Sequence, residues 1–588
     1  MELFAEVLQS KQGGIPVKRL LATIFVLTIV ATLLSSTPGV PKDVPSVYTG
    51  MVATSHPLAS LVGARILQQG GNAVDAAVAI QFALNVVEPM MSGIGGGGFM
   101  MIYLAKENKV VVIDYREQAP AGAKPTMFLD SEGKPLPFRT AILTGHAIGV
   151  PGTLKGMVTA LEKFGTMSLA QVIEPAIELA EKGVMVNRVL AQSIKDSMYK
   201  FNEAAKQVFA PNGEPLPEGA LLVQPDLAKT FKLIKDYGPD IFYKGDIAKA
   251  IVEAVQSRGG TMTLEDLTNY EVKFREPIRG TYRGYEIVSM PPPSSGGLTL
   301  LQMLKILEAY DIRALGHNTT QTLHLMIEAM RIAYADRGKY LADADFVKIP
   351  FKGYLDDRYI EQRRSLIDFQ KANPNIKPGN PWEYEEANVE ADLDRFAALN
   401  YESETSQTTH YTVRDKWGNL VACTTTIEDV FGSGLMVPGF GFMLNNEMTD
   451  FDFVPGGANE VQPGKRPRSS MTPTIVFKDG KPIFSVGSPG GARIITTVMQ
   501  VIMNMIDHGM SVQEAINAPR IFSSSYPTVQ WEAGIAEHVK RELELRGHKM
   551  AENPIVMGSV QSIVIDIETG KLYGGADPRR EGTVIGVP

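Results

Sequence analysis

A β-rich region of the chain opens with the residues Ser406-Gln407-Thr408-Thr409-His410-Tyr411-Thr412-Val413. β-Branched and aromatic residues of this kind favour strands. Residues 415–419 follow as a turn around Gly418, and residues 420–427 resemble a returning strand. We therefore predict two successive strands, the first of which begins at Thr408.

The segment before this region, residues 368–407, has a different composition. It combines three prolines with clustered carboxylates at 383–386 and 402–404, which predicts an exposed, poorly packed linker. If the Gln407–Thr408 bond breaks, Thr408 gains a free α-amine with a pKa of about 7.7–8.0. That amine can take the proton from the Thr408 hydroxyl and activate it as a nucleophile. The alternative is that Thr408 only reflects the β-propensity of threonine.

Alternation along the second strand places Thr424, Thr426 and Glu428 on one face. If the two strands pair, the Thr426 hydroxyl can reach Thr408 and Glu428 can reach a substrate. The alternative is a solvated, threonine-rich face. Cys423 points to the other face and is predicted to be a small buried residue.

Two glycine clusters invite a functional interpretation. Residues 487–491 follow a predicted strand at 483–486 and open a predicted helix at 492–508. Backbone amides at such a helix start can form an oxyanion hole, although a plain tight turn is the alternative. Residues 93–98 instead lead from a helix into a strand, the reverse of a dinucleotide-binding loop. They predict close backbone packing.

The rest of the chain predicts a layered α+β fold. Helical spacing over 56–87 is broken at Gly70-Gly71-Asn72, and residues 99–104 and 110–115 form a predicted hairpin. Residues 150–365 are predicted to be mostly helical, with helices at 298–310 and 319–334. A further strand is predicted at 470–477.

Composition narrows the chemistry. The net charge of -8 offers no field that attracts nucleic acid. One cysteine and eight scattered histidines suggest no disulfide, metal site or organic cofactor. The GxSxG and SxxK signatures of serine hydrolases are missing. Catalysis is therefore expected from Ser, Thr, carboxylates, Arg and backbone amides.

The N-terminal segment is predicted to be an export signal. Lys18 and Arg19 precede an apolar run at 20–34 and small residues from Ser35, a pattern typical of a signal peptide over residues 1–37. An uncleaved signal anchor is the alternative. Either reading places the body of the protein outside the cytoplasm, in the cell envelope, in the periplasm or secreted, with membrane contact only if the segment is retained.

Several motifs resemble those of one family. They are SQTTHYTV at 406–413, LNNEMTDF at 444–451, KRPRSSMTPT at 465–474, GSPGGARIITTV at 487–498, DYRE at 114–117, MPPPSSGG at 290–297 and AYADRGKYLAD from 333. From about residue 48 onward the chain resembles the γ-glutamyltransferases (γ-glutamyltranspeptidases) of the N-terminal-nucleophile hydrolase superfamily, in their bacillus-type branch. The resemblance implies a four-layer αββα sandwich. It also implies self-cleavage between Gln407 and Thr408 into a large subunit of residues 45–407 and a small subunit of residues 408–588.

The resemblance also implies roles for individual residues. Thr408 attacks a γ-glutamyl amide such as glutathione, and water, an amino acid or a peptide resolves the acyl-enzyme. Thr426 supports the nucleophile, and the amides of Gly490 and Gly491 hold the oxyanion. The substrate α-carboxylate is bound by Arg116, Ser469 and Ser470. The α-ammonium is bound by Glu428, Glu447 and Asp450, with Asn446 nearby.

Two departures from the wider family bear on the substrate. Glu428 and Glu447 replace the Asn and Gln of many members, and the segment 451–469 is short and lacks the aromatic-bearing lid found in many relatives. An open pocket of this kind would admit bulkier donors such as poly-γ-glutamate. Rival readings are a glutaryl- or cephalosporin-acylase, a poly-γ-glutamate depolymerase, and a secreted solute-binding protein that remains one chain.

Overall fold

The computed structural model describes residues 48–385 and 407–588. Within them, two antiparallel sheets carry most of the strands. The strands are β1 (Gly50–Thr54), β2 (Gly97–Leu104), β3 (Lys109–Asp114), β4 (Val184–Met185), β5 (Leu221–Leu222), β6 (Lys273–Arg275), β7 (Ile278–Tyr282), β8 (Tyr285–Ser289), β9 (Thr408–Arg414), β10 (Leu420–Thr426), β11 (Thr474–Lys478), β12 (Lys481–Gly487), β13 (Ile521–Phe522), β14 (Thr528–Trp531), β15 (Lys549–Met550), β16 (Gln561–Ile565), β17 (Leu572–Ala576) and β18 (Thr583–Val587).

Helices cover both sheets and fill the connections between strands. They are α1 (Pro57–Gln68), α2 (Ala73–Val87), α3 (Phe138–Ala141), α4 (Thr153–Phe164), α5 (Leu169–Lys182), α6 (Arg188–Ser197), α7 (Glu203–Phe209), α8 (Pro225–Tyr237), α9 (Asp240–Tyr243), α10 (Asp246–Ser257), α11 (Leu264–Thr268), α12 (Gly296–Leu307), α13 (Ile312–Leu315), α14 (Thr320–Tyr340), α15 (Phe351–Leu355), α16 (Asp357–Arg364), α17 (Arg493–Ile506), α18 (Val512–Asn517) and α19 (Glu537–Leu545). Short 3-10 turns lie at Gly145–Ala147, Pro381–Tyr384 and Glu447–Asp450.

The first sheet has the order β18-β1-β9-β10-β2-β3-β6, and the second has the order β17-β16-β12-β11-β8-β7. Apolar side chains of the two sheets meet in one buried cluster, which contains Met101 and Val112 of the first sheet and Ile475 and Ile563 of the second. Two larger clusters join the outer face of each sheet to its helices. The architecture is the predicted four-layer αββα sandwich.

Both sheets mix strands from before and after residue 407. In the first sheet, β9 and β10 lie between β1 and β2, and β18 lies on the outer side of β1. In the second, β7 and β8 pair with β11. The two halves of the chain therefore share one fold rather than forming separate domains.

The break at Gly70-Gly71-Asn72 is confirmed, and its cause is local. Gly70 has φ = +93°, a conformation that favours glycine. The Asn72 side chain then accepts hydrogen bonds from the amides of Val74 and Asp75, and the Asp75 carboxylate accepts one from the Asn72 amide. This reciprocal capping starts α2.

The region 150–365 is mostly helical, as predicted, and also contains the short strands β4 to β8. Two sequence predictions need correction. The strand predicted from 470 begins only at Thr474, because Pro473 has no amide to donate to a neighbouring strand. The predicted exposed linker is wrong at Pro381 and Trp382, which are buried. Residues 386–406, the remainder of that linker, lie outside the described residues.

The predicted export segment at residues 1–37 also lies outside the described residues. Among the helices of 48–385 and 407–588, none has the length and apolar character required to cross a membrane.

Candidate active site

Thr408 and Thr426 face each other across the two central strands. Thr408 is the first residue of β9, and the antiparallel register pairs it with Thr426, the last residue of β10. The Thr408 hydroxyl donates to the Thr426 hydroxyl oxygen at 3.2 Å. The predicted pairing of these strands is thus confirmed, and it brings the two predicted hydroxyls into contact.

The Thr426 hydroxyl also contacts the peptide bond that precedes Thr408. It donates to the Gln407 carbonyl oxygen at 2.9 Å, while the Glu428 amide donates to the Thr426 oxygen at 2.8 Å. The Thr426 hydroxyl therefore has its single proton on the Gln407 carbonyl. Such a bond polarises the carbonyl that the Thr408 hydroxyl lies beside.

Arg580 holds both sides of the same peptide bond. Its guanidinium donates to the Thr408 carbonyl oxygen at 2.8 Å and to the Gln407 side-chain oxygen at 2.5 Å. Burial lowers the pKa of Arg580. Arg580 was not predicted from the sequence, because 172 residues separate it from Thr408.

The glycine loop at 487–491 joins β12 to α17, as predicted. Gly490 has φ = +129° and Gly491 has φ = +56°, so a side chain at either position would strain the backbone. Gly491 lines the same cavity as Thr408. Gly487 leaves room for the His410 ring, which a β-carbon there would strike.

The His410 ring contacts Thr424, its partner in the neighbouring strand. Its Nδ1 lies 2.8 Å from the Thr424 hydroxyl, and the side chain is fully buried. Burial lowers the pKa of His410 to about 3, so the imidazole is neutral near pH 7. Cys423 is buried as predicted, and burial raises its thiol pKa to about 12.

Arg116 follows β3 and contacts acidic side chains of the Glu447–Asp450 turn. Its guanidinium pairs with Glu447 and, at 2.5 Å, with Asp450. It also donates to the carbonyls of Pro467 and Arg468. The group implied to bind carboxylate and two of the groups implied to bind ammonium therefore contact each other directly.

A fourth acid, Glu117, completes this cluster and was given no role by the sequence. It is fully buried, 3.9 Å from Arg116. Burial raises the pKa of Glu117 to about 7 against the opposing effect of Arg116. Burial likewise raises the pKa values of Glu428 and Glu447 well above their usual range, and neighbouring carboxylates add to this. The site holds more acid than one guanidinium can balance.

Within the described ranges, several of these carboxyl oxygens have no hydrogen-bond partner. They are both oxygens of Glu117, Oε1 of Glu428 and Oε2 of Glu447. Buried acceptors without partners cost free energy. A cation that donates hydrogen bonds there would be favoured.

Asn446 positions Glu428. Its side-chain amide donates to the Glu428 carboxylate and to the Thr449 hydroxyl, and its oxygen accepts from the Asp429 amide at 3.0 Å. Glu428 has φ = +77°. A left-handed conformation at a non-glycine residue is strained, and such strain clusters at functional sites.

Ser469 and Ser470 line the same cavity as Thr408. The Ser470 hydroxyl accepts from Arg337 at 2.7 Å, and Arg337 also donates to the Ser295 hydroxyl at 2.7 Å. The Ser469 hydroxyl accepts from the Met471 amide. In the sequence, Arg337 is one residue of the motif that begins at 333 and was assigned no role. Its contact with Ser470 was not predicted, because no local pattern indicates which distant hydroxyl it contacts.

One cavity collects most of the predicted residues. Its walls are formed by Arg116, Thr408, Thr426, Glu447, Asp450, Arg468, Ser469, Ser470, Met471, Gly491, Ala492 and Ile494. Glu428 contacts the cavity wall through Thr426, and Asn446 contacts Glu428. Gly490 lines a neighbouring groove. Over the described part of the chain, no group of three His, Cys, Asp or Glu is arranged to hold a metal ion.

Comparisons with known proteins agree with this geometry. A family model described as Gamma-glutamyltranspeptidase matches residues 59–587. The chain is 53% identical over 552 residues to a glutathione hydrolase proenzyme of Bacillus subtilis strain 168, with 93% of each chain covered. It is 45% identical to a glutathione hydrolase proenzyme of Escherichia coli K12, with 90% of each covered.

Among solved structures, a cephalosporin acylase from Bacillus halodurans superposes with a TM-score of 0.81 at 29% identity, covering 93% of this chain and 98% of that chain. Its match extends over both sheets and their helices, so the fold is shared. Taken with the nucleophile-bearing strand pair and the acid-rich cavity, these matches show that the chain belongs to the γ-glutamyltranspeptidase family.

Proposed function

We propose that this protein is a self-processing γ-glutamyltransferase and glutathione hydrolase whose nucleophile is the Thr408 hydroxyl. The observation that carries the proposal is the chain of contacts from the Thr408 hydroxyl to the Thr426 hydroxyl to the Gln407 carbonyl. It sits at the edge of a cavity that offers both a buried guanidinium and buried carboxyl groups.

Self-cleavage uses the first part of this arrangement. The Thr408 oxygen attacks the Gln407 carbonyl carbon, and the Thr426 hydroxyl stabilises the developing negative charge on the carbonyl oxygen, 2.9 Å away. The C–N bond breaks as the proton lost by the Thr408 hydroxyl passes to the Thr408 nitrogen, and an ester remains between Gln407 and the Thr408 oxygen. Water hydrolyses that ester, leaving a carboxylate on Gln407 and a free α-amine on Thr408.

The mature enzyme uses the same oxygen on a substrate. The new α-amine takes the Thr408 hydroxyl proton as the oxygen attacks a γ-glutamyl carbonyl. The amides of Gly490 and Gly491 stabilise the oxyanion. The amide C–N bond breaks, the leaving amine takes that proton, and the γ-glutamyl group remains as an ester on the Thr408 oxygen. Water or an amine then attacks the ester carbonyl carbon, the ester bond breaks, and the proton lost by the attacking group returns to the Thr408 oxygen.

Substrate selection follows from the charges of the cavity. Arg116, Ser469 and Ser470 bind the α-carboxylate, for which a guanidinium provides a bidentate fork. Glu428, Glu447 and Asp450 bind the α-ammonium, which supplies hydrogen-bond donors to Oε1 of Glu428 and Oε2 of Glu447. The substrate thereby replaces part of the pairing between Arg116 and its acids.

The large chain (45–407) and small chain (408–588) remain together in this proposal, because both contribute strands to each sheet. Residues 1–37 serve as an export signal or, through 20–34, as an anchor, so the enzyme acts outside the cytoplasm.

A second candidate is an acylase of the same fold, favoured by the structural match to a cephalosporin acylase. A glutaryl group lacks the α-ammonium, so it would leave the buried acids of this cavity without a cationic partner. Relative rates on γ-glutamyl and glutaryl anilides separate the two. Cleavage of poly-γ-glutamate is tested by the same assay with the polymer as donor. If only glutathione-sized donors react, the open-pocket hypothesis fails.

The central experiment follows the chain on a denaturing gel. The wild-type protein should yield a small fragment of just under a third of the 64.1 kDa mass, with the N-terminal sequence Thr-Thr-His-Tyr. Thr408→Ala should remain one inactive chain, whereas Thr408→Ser, which keeps a hydroxyl, should still be cut. A single wild-type chain would instead fit a solute-binding protein.

A further inference from the structure

A buried carboxylate contacts the residue that follows the nucleophile. Oε2 of Glu88 accepts a hydrogen bond from the Ser55 hydroxyl at 2.6 Å and another from the Thr409 hydroxyl at 2.9 Å. The two hydroxyl oxygens lie 2.7 Å apart. All three side chains are buried. They form a closed triangle that shares no atom with the contacts between Thr408 and Thr426.

Three elements of the fold meet at this triangle. Ser55 directly follows β1, Thr409 is the second residue of β9, and Glu88 directly follows α2. The helix ends there because a residue before proline is disfavoured in the helical conformation, and residue 89 is Pro89. The carboxylate therefore ties the end of a helix to the start of the strand that carries Thr408.

The turn at 88–91 also contacts the second central strand. The carbonyl oxygen of Met91 accepts from the Ile427 amide at 3.3 Å, and Ile427 follows Thr426 directly. The same turn thus contacts the residue after each of the two reacting threonines, Thr409 on β9 and Ile427 at the end of β10. It braces the distance between the two hydroxyls from behind.

The position of Glu88 is unfavourable for a negative charge on grounds of stability alone. The dipole of α2 disfavours an anion at its C-terminal end. Burial adds a further cost, because the carboxylate loses water and gains only hydroxyl donors in return. An acid retained at such a place indicates a functional demand.

Arg580 supplies the opposite charge. Its guanidinium donates to the Thr408 carbonyl oxygen at 2.8 Å. Burial lowers the pKa of Arg580, and the negative charges of Glu88 and Asp577 oppose that effect. Glu88 therefore acts on the nucleophile from two directions, through the Thr409 hydroxyl and through the guanidinium bound to the Thr408 carbonyl.

We propose that Glu88 is a positioning residue for the Thr408 nucleophile, which it holds through Thr409 while offsetting the charge of Arg580 beside the new α-amine. The proposal rests on the proposed function, in which that amine takes the proton of the Thr408 hydroxyl.

The offset sets the basicity of the amine. A cation close to an amine lowers its pKa, and an anion raises it. Arg580 alone would weaken the Thr408 amine as a base by favouring its neutral form at lower pH. With Glu88 present, the two effects counter each other, and the amine titrates closer to its ordinary range.

Other ionisable groups also face this region. Burial raises the pKa of Glu428 well above its usual range, and burial lowers the pKa of His56, so both side chains are largely neutral near pH 7. Asp577 is paired with Arg520 at 2.9 Å and with Arg579 at 3.1 Å. Glu581 acts on His56. Glu88 is thus the carboxylate that acts on Arg580 without an arginine partner of its own among the ion pairs of the described residues.

The test begins with Glu88→Gln, which keeps the size of the side chain and removes its charge. Hydrolysis of γ-glutamyl-p-nitroanilide by the matured protein is measured from pH 5 to pH 10. We expect kcat to fall about ten-fold, the usual effect of losing a hydrogen bond to a charged group. KM should stay within about two-fold, because Glu88 does not line the substrate cavity.

The pH profile separates positioning from simple support of the fold. Loss of the anion leaves Arg580 unopposed, so the amine pKa should fall. The acid limb of kcat/KM, which reports the free enzyme, should therefore move about half a unit to one unit lower in pH. A purely structural role would lower the rate without moving this limb.

Two further variants separate geometry from charge. Thr409→Val loses the hydroxyl and keeps the charge of Glu88, so kcat should fall while the acid limb stays at the wild-type pH. The double variant with Glu88→Gln should be about as slow as Glu88→Gln alone, because the shared contact is lost only once. Glu88→Asp keeps the charge on a shorter side chain, so it should keep the wild-type limb and lower kcat.

Glu328→Gln is the matched control. Glu328 is also a fully buried carboxylate, and it accepts from Arg331 at 3.2 Å. It does not line the cavity. Its replacement by Gln should leave kcat within about two-fold of wild type and should leave the acid limb unmoved.

The proposal is overturned if matured Glu88→Gln keeps the wild-type acid limb, or if Glu88→Gln and Thr409→Val lower kcat independently. If Glu88→Gln is not cut, Glu88→Asp decides, and a wild-type kcat in that variant overturns the proposal. Failure of the proposed function is a separate result, since the wild-type protein would then show no cut chain or no cleavage of the anilide.

Discussion

The hydroxyl oxygens of Thr408 and Thr426 lie 3.2 Å apart at the paired ends of two central strands. The register of the two strands sets this distance, because both threonine side chains are short and cannot change it by much. The Thr426 hydroxyl is the only group in the described region seen to donate to the Gln407 carbonyl.

Removal of that hydroxyl should slow self-cleavage. Thr426→Val keeps the side-chain shape but loses the donor, so the rate of maturation should fall about 100-fold, the usual cost of one oxyanion donor. Appearance of the small chain on a time-resolved gel measures this rate. Thr426→Ser is the control and should mature at close to the wild-type rate. Equal rates for the Val and Ser variants would contradict this role.

Arg580 and Gln407 should be coupled in maturation. Gln407→Ala and Arg580→Gln each break the contact across the scissile bond and should each slow cleavage about ten-fold, as expected for a hydrogen bond to a charged group. The double variant should be about as slow as Arg580→Gln alone, because the shared contact is lost only once. If the two effects simply multiply, the fork does not act through Gln407.

Glu117 should make the protein less stable as pH rises. Its pKa is raised from 4.5 to about 7, so the folded state holds a proton that the unfolded state releases. The resulting stability is present below pH 4.5 and is lost as pH rises through about 7. Glu117→Gln should therefore gain on the order of 2 kcal/mol over wild type at pH 8, and little at pH 4.5. Denaturant unfolding of the uncut Thr408→Ala background measures this.

The exposed residue Glu107 provides the control for that experiment. Glu107→Gln should leave the pH dependence unchanged. A Glu117→Gln profile parallel to that of the parent would show that Glu117 is ionised in the fold throughout this range.

His548 should contribute in the opposite direction. It accepts at Nδ1 from Arg331 and contacts His324 through Nε2 at 2.7 Å. Burial, followed by Arg331, lowers the pKa of His548 to about 3. The unfolded state then takes up a proton near pH 6.5 that the folded state does not, so stability falls as pH drops from about 6.5 towards 3.

His548→Gln should flatten this acid limb, while costing about 1–2 kcal/mol near pH 7 through the lost contacts. His538 is exposed, and His538→Gln is its control. Thermal midpoints measured from pH 4 to pH 7 compare the two variants. An acid limb as steep as that of the parent would assign the acid sensitivity to other groups.

Structural features that depend on residues close together in the chain were predicted correctly from the sequence. Strand alternation placed Thr426 on one face of its strand, from which it contacts Thr408 once the two strands pair, and the strand–glycine–helix order located the loop at 487–491. Family motifs identified Arg116, Ser469 and Ser470 as residues of one cavity, and the structure brings them together.

The missed features depend on long-range contacts. Arg580 and Arg337 contact the site from 172 and 133 residues away, and no local pattern encodes those pairings. The contact of Arg116 with Glu447 and Asp450 was also not predicted. Motifs indicate that these charged residues belong to one site, but they do not indicate which of them form ion pairs. Strands β6 to β8 were missed because they are short and lie within a helical region.

The interleaving of strands from the two halves of the chain affects how the protein can refold before and after the cut. Before the cut, β9 finds its neighbours β1 and β10 within one connected polymer, and the entropy of closing the loop grows only slowly with its length. After the cut, any unfolded molecule has to recover β1 from a separate partner by diffusion. Renaturation of the mature enzyme should therefore depend on dilution, whereas that of the Thr408→Ala precursor should not. Folding of the two halves within a single chain is therefore possible only before the cut.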